Sequence, residues 1–201
     1  KYSSTREMVK LVDLSPRRKG IIVGQRLRVF LSQFIDENID FSDTEIPLFM
    51  NAVNLSTGNE VILDQGNLLN GILATTAIPG VISPFVDDNN ILADGGVVNN
   101  LPVSAMKERT HMPIVAVDVH QTLADFPISG NLTNPYPKSI FPEFVKEYYL
   151  AELIKTRRNT DLQLSQSPPD LLLIPNIDPN ISLFFGFQQI DALIHAGLSI
   201  T

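Results

Sequence analysis

Cysteine is absent from the 201-residue chain. That excludes disulfides, thiolate nucleophiles and Cys-ligated zinc or iron–sulfur centres, and it leaves the redox compartment open. No apolar run reaches the roughly 20 residues that a membrane-spanning helix needs. No charged-then-apolar segment at the start reads as a signal peptide. Internal repeats, low-complexity tracts and obvious linkers are also missing. Basic charge is in short supply: the formal net charge is −7, which argues against a nucleic-acid partner.

What is present fits a folded α/β chain. The sequence is 44% hydrophobic and 18% charged, enough for one good core, and a single domain is expected. Charge is unevenly placed. Residues 1–28 hold eight Lys and Arg against Glu7 and Asp13. Such a strip would attract anionic lipid headgroups; a solvated helix face and loop is the plainer reading.

Residues 5–12 read as a short helix, 16–20 as a basic loop, and 25–37 as a helix with Leu27, Phe30, Leu31, Phe34 and Ile35 on one face. Residues 47–54 and 60–63 read as strands of a hairpin turned by Ser56-Thr57-Gly58-Asn59. Asn67 is placed to cap a helix running to Thr75, and Pro79-Gly80 to stop it. A short strand over 91–93 ends at Asp94-Gly95-Gly96, and Pro102 opens a helix through Arg109. The Val- and Ile-rich run 113–119 suits a parallel strand buried on both faces. A helix over 144–158, a loop over 163–170, a strand over 171–174 and a helix over 188–198 complete the chain. Strands alternating with helices predict α/β with a largely parallel sheet.

Chemistry concentrates between Ala74 and Val103. Asp94 sits at a strand end before two glycines, which permit positive φ and close backbone approach. Strand ends and their loops are where α/β sheets bind ligands, and a carboxylate fixed there can act as a general base. Asn99 and Asn100 can hydrogen-bond the turn. By itself an Asp-Gly turn is common and need mean nothing more.

The whole segment resembles the patatin-like phospholipase family. The resemblance is carried by Ala74-Thr75-Thr76-Ala77-Ile78-Pro79-Gly80, then Pro84, then Asp94-Gly95-Gly96, then Asn99-Asn100-Leu101-Pro102. Fainter likeness extends to Leu14–Arg18 with Gly20 and Gly24, to Thr156–Thr160, and to the tail from Pro175 to Gly197. The resemblance implies a three-layer α/β fold, with a central, mostly parallel sheet flanked by helices. It implies a serine acyl hydrolase working through a Ser-Asp dyad, with Asp94 as the base, Gly95 and Gly96 shaping its turn, and Pro79-Gly80 lining the site. The substrate would be a phospholipid or another acyl-ester lipid. A lipid substrate is compatible with peripheral membrane contact; the compartment is left open, a cytoplasmic or membrane-peripheral setting being the expectation. An acyl-enzyme route needs no metal or organic cofactor.

No serine has glycine at both −2 and +2, and no Gly-Gly-Gly loop for an oxyanion is present. Ser199 has the first glycine only, in a predicted terminal helix, where an elbow needs a strand before and a helix after. By the family's order both parts precede the aspartate. The 201 residues are therefore expected to be a single partial domain that lacks its N-terminal oxyanion-loop and nucleophile segments. Without them, apolar strand edges would be exposed and the piece would fold poorly alone. The alternative is a non-catalytic lipid-binding or interaction protein that keeps the fold.

Other residues admit sharper readings. Asp118 and His120 share a face by alternation and suggest a metal-dependent hydrolase, but two ligands make a weak site and a hydrogen-bonded pair is simpler. Residues 87–90 are acidic but match no EF-hand loop, and a hairpin turn is expected. Phe184, Phe185 and Phe187 are candidates for an acyl pocket, against ordinary core. Arg157 and Arg158 could meet phosphate; a cation near the end of a helix is the plainer role.

Overall fold

The computed structural model describes residues 13, 22–87, 89–120, 143–177 and 189–200. The chain is mixed α/β and divides into two compact units, one essentially Arg6–Asn100 and the other essentially Leu101–Thr201.

Among the described residues the first helix of the first unit is α1 (Gln25–Leu31). Asp13 caps it: its carboxylate accepts the backbone N–H groups of Gly24 (2.9 Å), Gln25 (2.8 Å) and Arg26 (3.2 Å), donors that a helix start leaves orphaned. The helix stops short of the expected residue 37. Beyond Ser32 the chain tightens, with Gln33 and Phe34 bonding three residues back, while the Ser32 hydroxyl donates to the carbonyl of Val29. Such local side-chain bonds compete with the helix. Phe34, predicted on the apolar face, is left 64% exposed.

The hairpin is as expected. β1 (Met50–Asn54) pairs antiparallel with β2 (Glu60–Leu63), Met50 facing Leu63. Asn67 caps α2 (Leu68–Thr75) by accepting the N–H of Asn70 at 3.1 Å. β3 (Phe85–Val86) and β4 (Ile91–Asp94) form a second hairpin, and β4 pairs with β1. Asp87 organises the turn between them, accepting the N–H groups of Asn89 and Asn90. Those same donors, Asn89 first, hold the Asp87 carboxyl below its usual value. The sheet order is β2-β1-β4-β3. α2 packs on it through Ala74, against Ala52 and Leu92, with Val61, Leu63 and Phe85 around them.

The second unit holds α3 (Val103–Lys107), β5 (Val115–Val117), the long helix α4 (Glu143–Gln166), β6 (Leu171–Leu173) and α5 (Ile190–Leu198). β5 and β6 pair in parallel, Val115 with Leu171. Its core is Val103, Ile114 and Ala116 with Leu101, Leu164 and Leu172.

Three sequence expectations change. Among the described residues the sheet pairings are mostly antiparallel: both hairpins are joined by connections too short for a crossover, and β4 also lies antiparallel beside β1. Of the described strand pairs only β5–β6, joined through α4, is parallel, beside an isolated parallel bridge between Ile22 and Ile82. Second, β5 is not buried on both faces. Ala116 is buried, while Val115 and Val117 are about half exposed, so the run alternates with the strand period. Third, α4 runs on to Gln166 through the first half of the predicted loop. Only Pro168 and Pro169 end it, since the residue before a proline is pushed out of the α region. Arg157 therefore lies inside the helix, not near its end.

Candidate active site

Asp94 is the last residue of β4 and sits opposite Ala52 of β1. Its N–H donates to the carbonyl of Ala77 at 3.0 Å. Its Oδ1 accepts the N–H of Gly96 at 2.8 Å, capping the 3-10 turn Gly95–Val97. The side chain is half-buried. One carboxylate oxygen is thus fixed by the turn that the aspartate itself starts, an arrangement that prevents the carboxylate from sweeping through rotamers.

The two glycines are there for space, not for backbone handedness. Among the described residues the positive-φ glycines are Gly24, Gly58, Gly66 and Gly80, and Gly95 and Gly96 are not among them. A Cβ on Gly95 would lie 2.5 Å from Cγ of Asn51 and 2.6 Å from its carbonyl oxygen. A Cβ on Gly96 would lie 2.8 Å from Oδ1 of Asn100 and 3.1 Å from Oδ1 of Asp94.

Around this turn the first unit builds a polar brace. Asn99 returns its N–H to the carbonyl of Gly95 at 2.8 Å. Asn51, on β1, donates through Nδ2 to the Asn99 carbonyl at 2.5 Å and to Oε1 of Glu60 at 3.1 Å. Asn99 Nδ2 donates to the other Glu60 oxygen at 3.2 Å. Thr75 ties α2 to the same strand by donating its hydroxyl to the Asn51 carbonyl at 2.7 Å. Asn99 is 3% exposed; these bonds satisfy its N–H, its carbonyl and its Nδ2, while its buried Oδ1 has no hydrogen-bond partner among the described residues. Asn51 and Glu60 are not among the residues singled out from sequence, whereas Thr75 belongs to the Ala74–Gly80 segment that carries the resemblance. The available signal was a polar side chain inside a strand whose partner strand runs into a glycine pair.

The Pro79-Gly80 loop is brought to the same side of the unit by the bond between Asp94 and Ala77, two residues before Pro79. Gly80 has φ 80°, which suits the tight turn in which Val81 and Ile82 both bond to the carbonyl of Ile78. Pro79 and Gly80 are exposed. Ile78 and Val97, also exposed, follow the two segments that meet at Asp94.

Phe184, Phe185 and Phe187 lie outside the described residues. Ser199 caps the end of α5 in a helical conformation and donates its hydroxyl to the Ala196 carbonyl, so no strand precedes it.

In the second unit Asp118 is 1% exposed and accepts from Nη1 of Arg157 at 2.5 Å and from the N–H of His120 at 3.1 Å. His120 Nδ1 stands 3.8 Å from Asp118 Oδ1. Arg157 also donates Nε to Asp161 at 2.8 Å and pairs with it through Nη2. The Asp161 carboxylate, ahead of the opposing effect of burial and with help from Asp118, holds the guanidinium above its ordinary pKa. Asp118 is therefore the buried anchor of a salt bridge. Among the described residues no group of three or more His, Asp or Glu side chains is placed to hold a metal.

The patatin-like phospholipase family model matches residues 2–107, just over half of the chain and all of the site around Asp94. The chain is 28% identical over 161 residues to an uncharacterized NTE family protein of Mycobacterium tuberculosis, covering 74% of this chain and 27% of that protein. It is 27% identical over 170 residues to lysophospholipase NTE1 of Candida albicans, covering 79% of this chain and 12% of the relative. Over 124 residues it is 30% identical to a second Mycobacterium tuberculosis protein of the NTE family, covering 62% of this chain and 32% of that protein. The chain thus spans about a third or less of the length of these relatives.

Proposed function

The chain belongs to the patatin-like phospholipase family, and on that premise we propose that it carries the general base of a lipid acyl hydrolase. Asp94 takes the proton of a serine hydroxyl as that oxygen attacks the carbonyl of an acyl ester. The tetrahedral adduct collapses, the protonated Asp94 gives its proton to the departing alkoxide, the lipid alcohol leaves, and an acyl-serine remains with Asp94 again a carboxylate. Asp94 then activates water for deacylation, and the proton balance closes. The nucleophile and the oxyanion donors come from a segment of the longer protein that these 201 residues do not include. The chain by itself is a partial domain and inactive. Substrates are phospholipids, lysophospholipids or related acyl esters, met at a membrane surface to which the protein binds peripherally. Among the described residues no helix is long and apolar enough to cross a membrane.

One observation carries this reading: Asp94 stands at a strand end with Oδ1 held at 2.8 Å by the N–H of Gly96. A plain surface Asp-Gly turn would not need the buried Asn99 and the Asn51–Glu60 brace beneath it.

The test uses the full-length gene product with phosphatidylcholine and lysophosphatidylcholine as substrates. Asp94→Asn preserves size and the bond from Gly96, and is expected to lower kcat by about 10²–10⁴-fold with the fold intact. A fluorophosphonate probe is expected to label one serine outside this chain. Hydrolysis by Asp94→Asn within a few-fold of the parent overturns the role of Asp94. Absence of both hydrolysis and labelling in the full-length product, with lipid binding retained, establishes the alternative of a non-catalytic lipid-binding protein.

A further inference from the structure

We infer that Asn51 is a positioning residue for Asp94, and that Glu60 and Asn99 complete the brace through which it acts; the inference rests on Asp94 being the general base. The aspartate's own strand cannot fix its turn. β4 ends at Asp94, and the next three residues form a single 3-10 turn whose internal bonds are few. A turn of that kind holds its shape only if something outside it does the holding.

Asn51 does this in two ways at once. It is a wall: its Cγ, Oδ1 and carbonyl oxygen occupy the space where a side chain of residue 95 would go, so the turn is seated against β1. It is also a tether: Nδ2 reaches the Asn99 carbonyl at 2.5 Å. Asn99 in turn donates its N–H to the Gly95 carbonyl at 2.8 Å. The turn is therefore gripped at its first residue and just past its end, and between the two lies the Gly96 N–H that holds Asp94 Oδ1. Glu60 sets the direction of both amides. Its two oxygens accept one N–H each, from Asn51 (3.1 Å) and from Asn99 (3.2 Å), and a carboxylate acceptor makes these bonds stronger than a neutral one would. It also fixes which end of each amide carries the nitrogen, since only the NH₂ group can serve a carboxylate. The bond from Thr75 to the Asn51 carbonyl anchors the wall to α2.

The chain of contact runs Glu60, Asn51, Asn99, Gly95, Gly96, Asp94, and none of the first three touches the Asp94 carboxylate in the contacts described above. Removing the brace should leave substrate binding alone and spoil the approach of the base. A misplacement of about 1 Å is enough to cost on the order of 10²-fold in rate.

The experiment is steady-state kinetics on the full-length protein with lysophosphatidylcholine, comparing parent, Asn51→Ala, Glu60→Ala, Asp94→Asn and Asn51→Ala/Asp94→Asn, each checked by thermal melting. Asn51→Ala is expected to lower kcat about 10- to 100-fold with KM within about twofold. Glu60 is exposed, and Glu60→Ala is expected to lower kcat about two- to fivefold in the same pattern. In the Asp94→Asn background Asn51→Ala should cost nothing further, because a brace has no rate effect once its base is gone. A purely structural role would keep its cost in both backgrounds. An unchanged kcat in Asn51→Ala, a rise in KM alone, or the same fold-loss in the Asp94→Asn background overturns the inference while leaving the general base in place. Undiminished activity in Asp94→Asn alone overturns the general base and the inference with it. Should Asn51→Ala fail to fold, Glu60→Ala decides by the same criteria, alone and combined with Asp94→Asn.

Discussion

Arg157→Met offers the sharpest energetic test, because the structure gives its two acidic partners very different surroundings. Asp118 is 1% exposed and Asp161 is 47% exposed by side chain, while Arg157 itself is buried. Asp161 does most to raise the Arg157 pKa, since it meets both Nε and Nη2. For stability the order reverses. Water can take over the half-exposed Asp161, but it cannot reach Asp118. Methionine keeps an unbranched apolar side chain at this buried position and removes the guanidinium with its charge and hydrogen bonds. Asp118 is then left charged and buried with the His120 N–H still bonded to it, and breaking a buried pair from one side costs about 3–5 kcal/mol. At 1.4 kcal/mol per factor of ten, the opening equilibrium rises on the order of 10²- to 10³-fold or more. Asp161→Asn removes the charge of the half-exposed partner, where water and the amide oxygen can take over, and should cost about 1 kcal/mol or less. Asp118→Asn/Arg157→Met removes both charges and should be more stable than Arg157→Met alone. Native-state hydrogen exchange of β5 and α4 amides in the full-length protein reads the unit that holds these residues without requiring two-state unfolding of the rest. Equal costs for Arg157→Met and Asp161→Asn, or a double variant no better than the single, would refute the argument.

Two further predictions concern the first unit. Gly95→Ala drives a Cβ into a backbone carbonyl oxygen and should cost about 1–3 kcal/mol, whereas Gly96→Ala meets the movable end of Asn100 and should cost less; thermal melting of both variants gives the order. Partial burial raises the Asp13 carboxyl, but the N–H groups of Gly24, Arg26 and Gln25 together outweigh it and hold the folded pKa below the ordinary value. The cap's stabilisation is therefore present above the unfolded pKa of about 3.9 and is lost as pH falls through the lowered folded pKa. Asp13→Ala should expose α1 to faster hydrogen exchange at pH 7, at a cost of about 0.5–2 kcal/mol, and the difference from the parent should shrink toward pH 3.

Elements whose signals are local were legible in the sequence. Asn67 caps α2, the Ser56–Asn59 turn closes the first hairpin, and the strand before Asp94 ends as its glycines suggested. Elements decided by competition were not. The apolar period ran on to Ile35, but the Ser32 side chain and three-residue bonds closed the helix at Leu31. Polar residues in 163–166 looked like a loop, yet nothing there breaks a helix until the prolines, and α4 continues. The apolar run 113–119 could not distinguish a strand covered on two faces from one covered on one, because Val and Ile on both faces satisfy either. Pairing direction was inferred from strand–helix alternation, while the lengths of the hairpin connections would have argued for antiparallel partners.

The candidate site shows the same division more sharply. Asp94, its glycines and Asn99 lie within six residues, so a linear motif exposes them. Asn51 and Glu60 lie on two other strands, more than thirty residues earlier, and nothing in their own neighbourhoods marks them. They matter only because the register sets Ala52 against Asp94 and so places Asn51 beside Gly95. Sliding β1 by one residue would turn Asn51 to the opposite face and remove wall and tether together. The motif therefore names the reactive carboxylate, but the pairing of β1 with β4 decides where that carboxylate can stand. A Gly95 that must be glycine although its φ is ordinary is the trace this pairing leaves in the sequence.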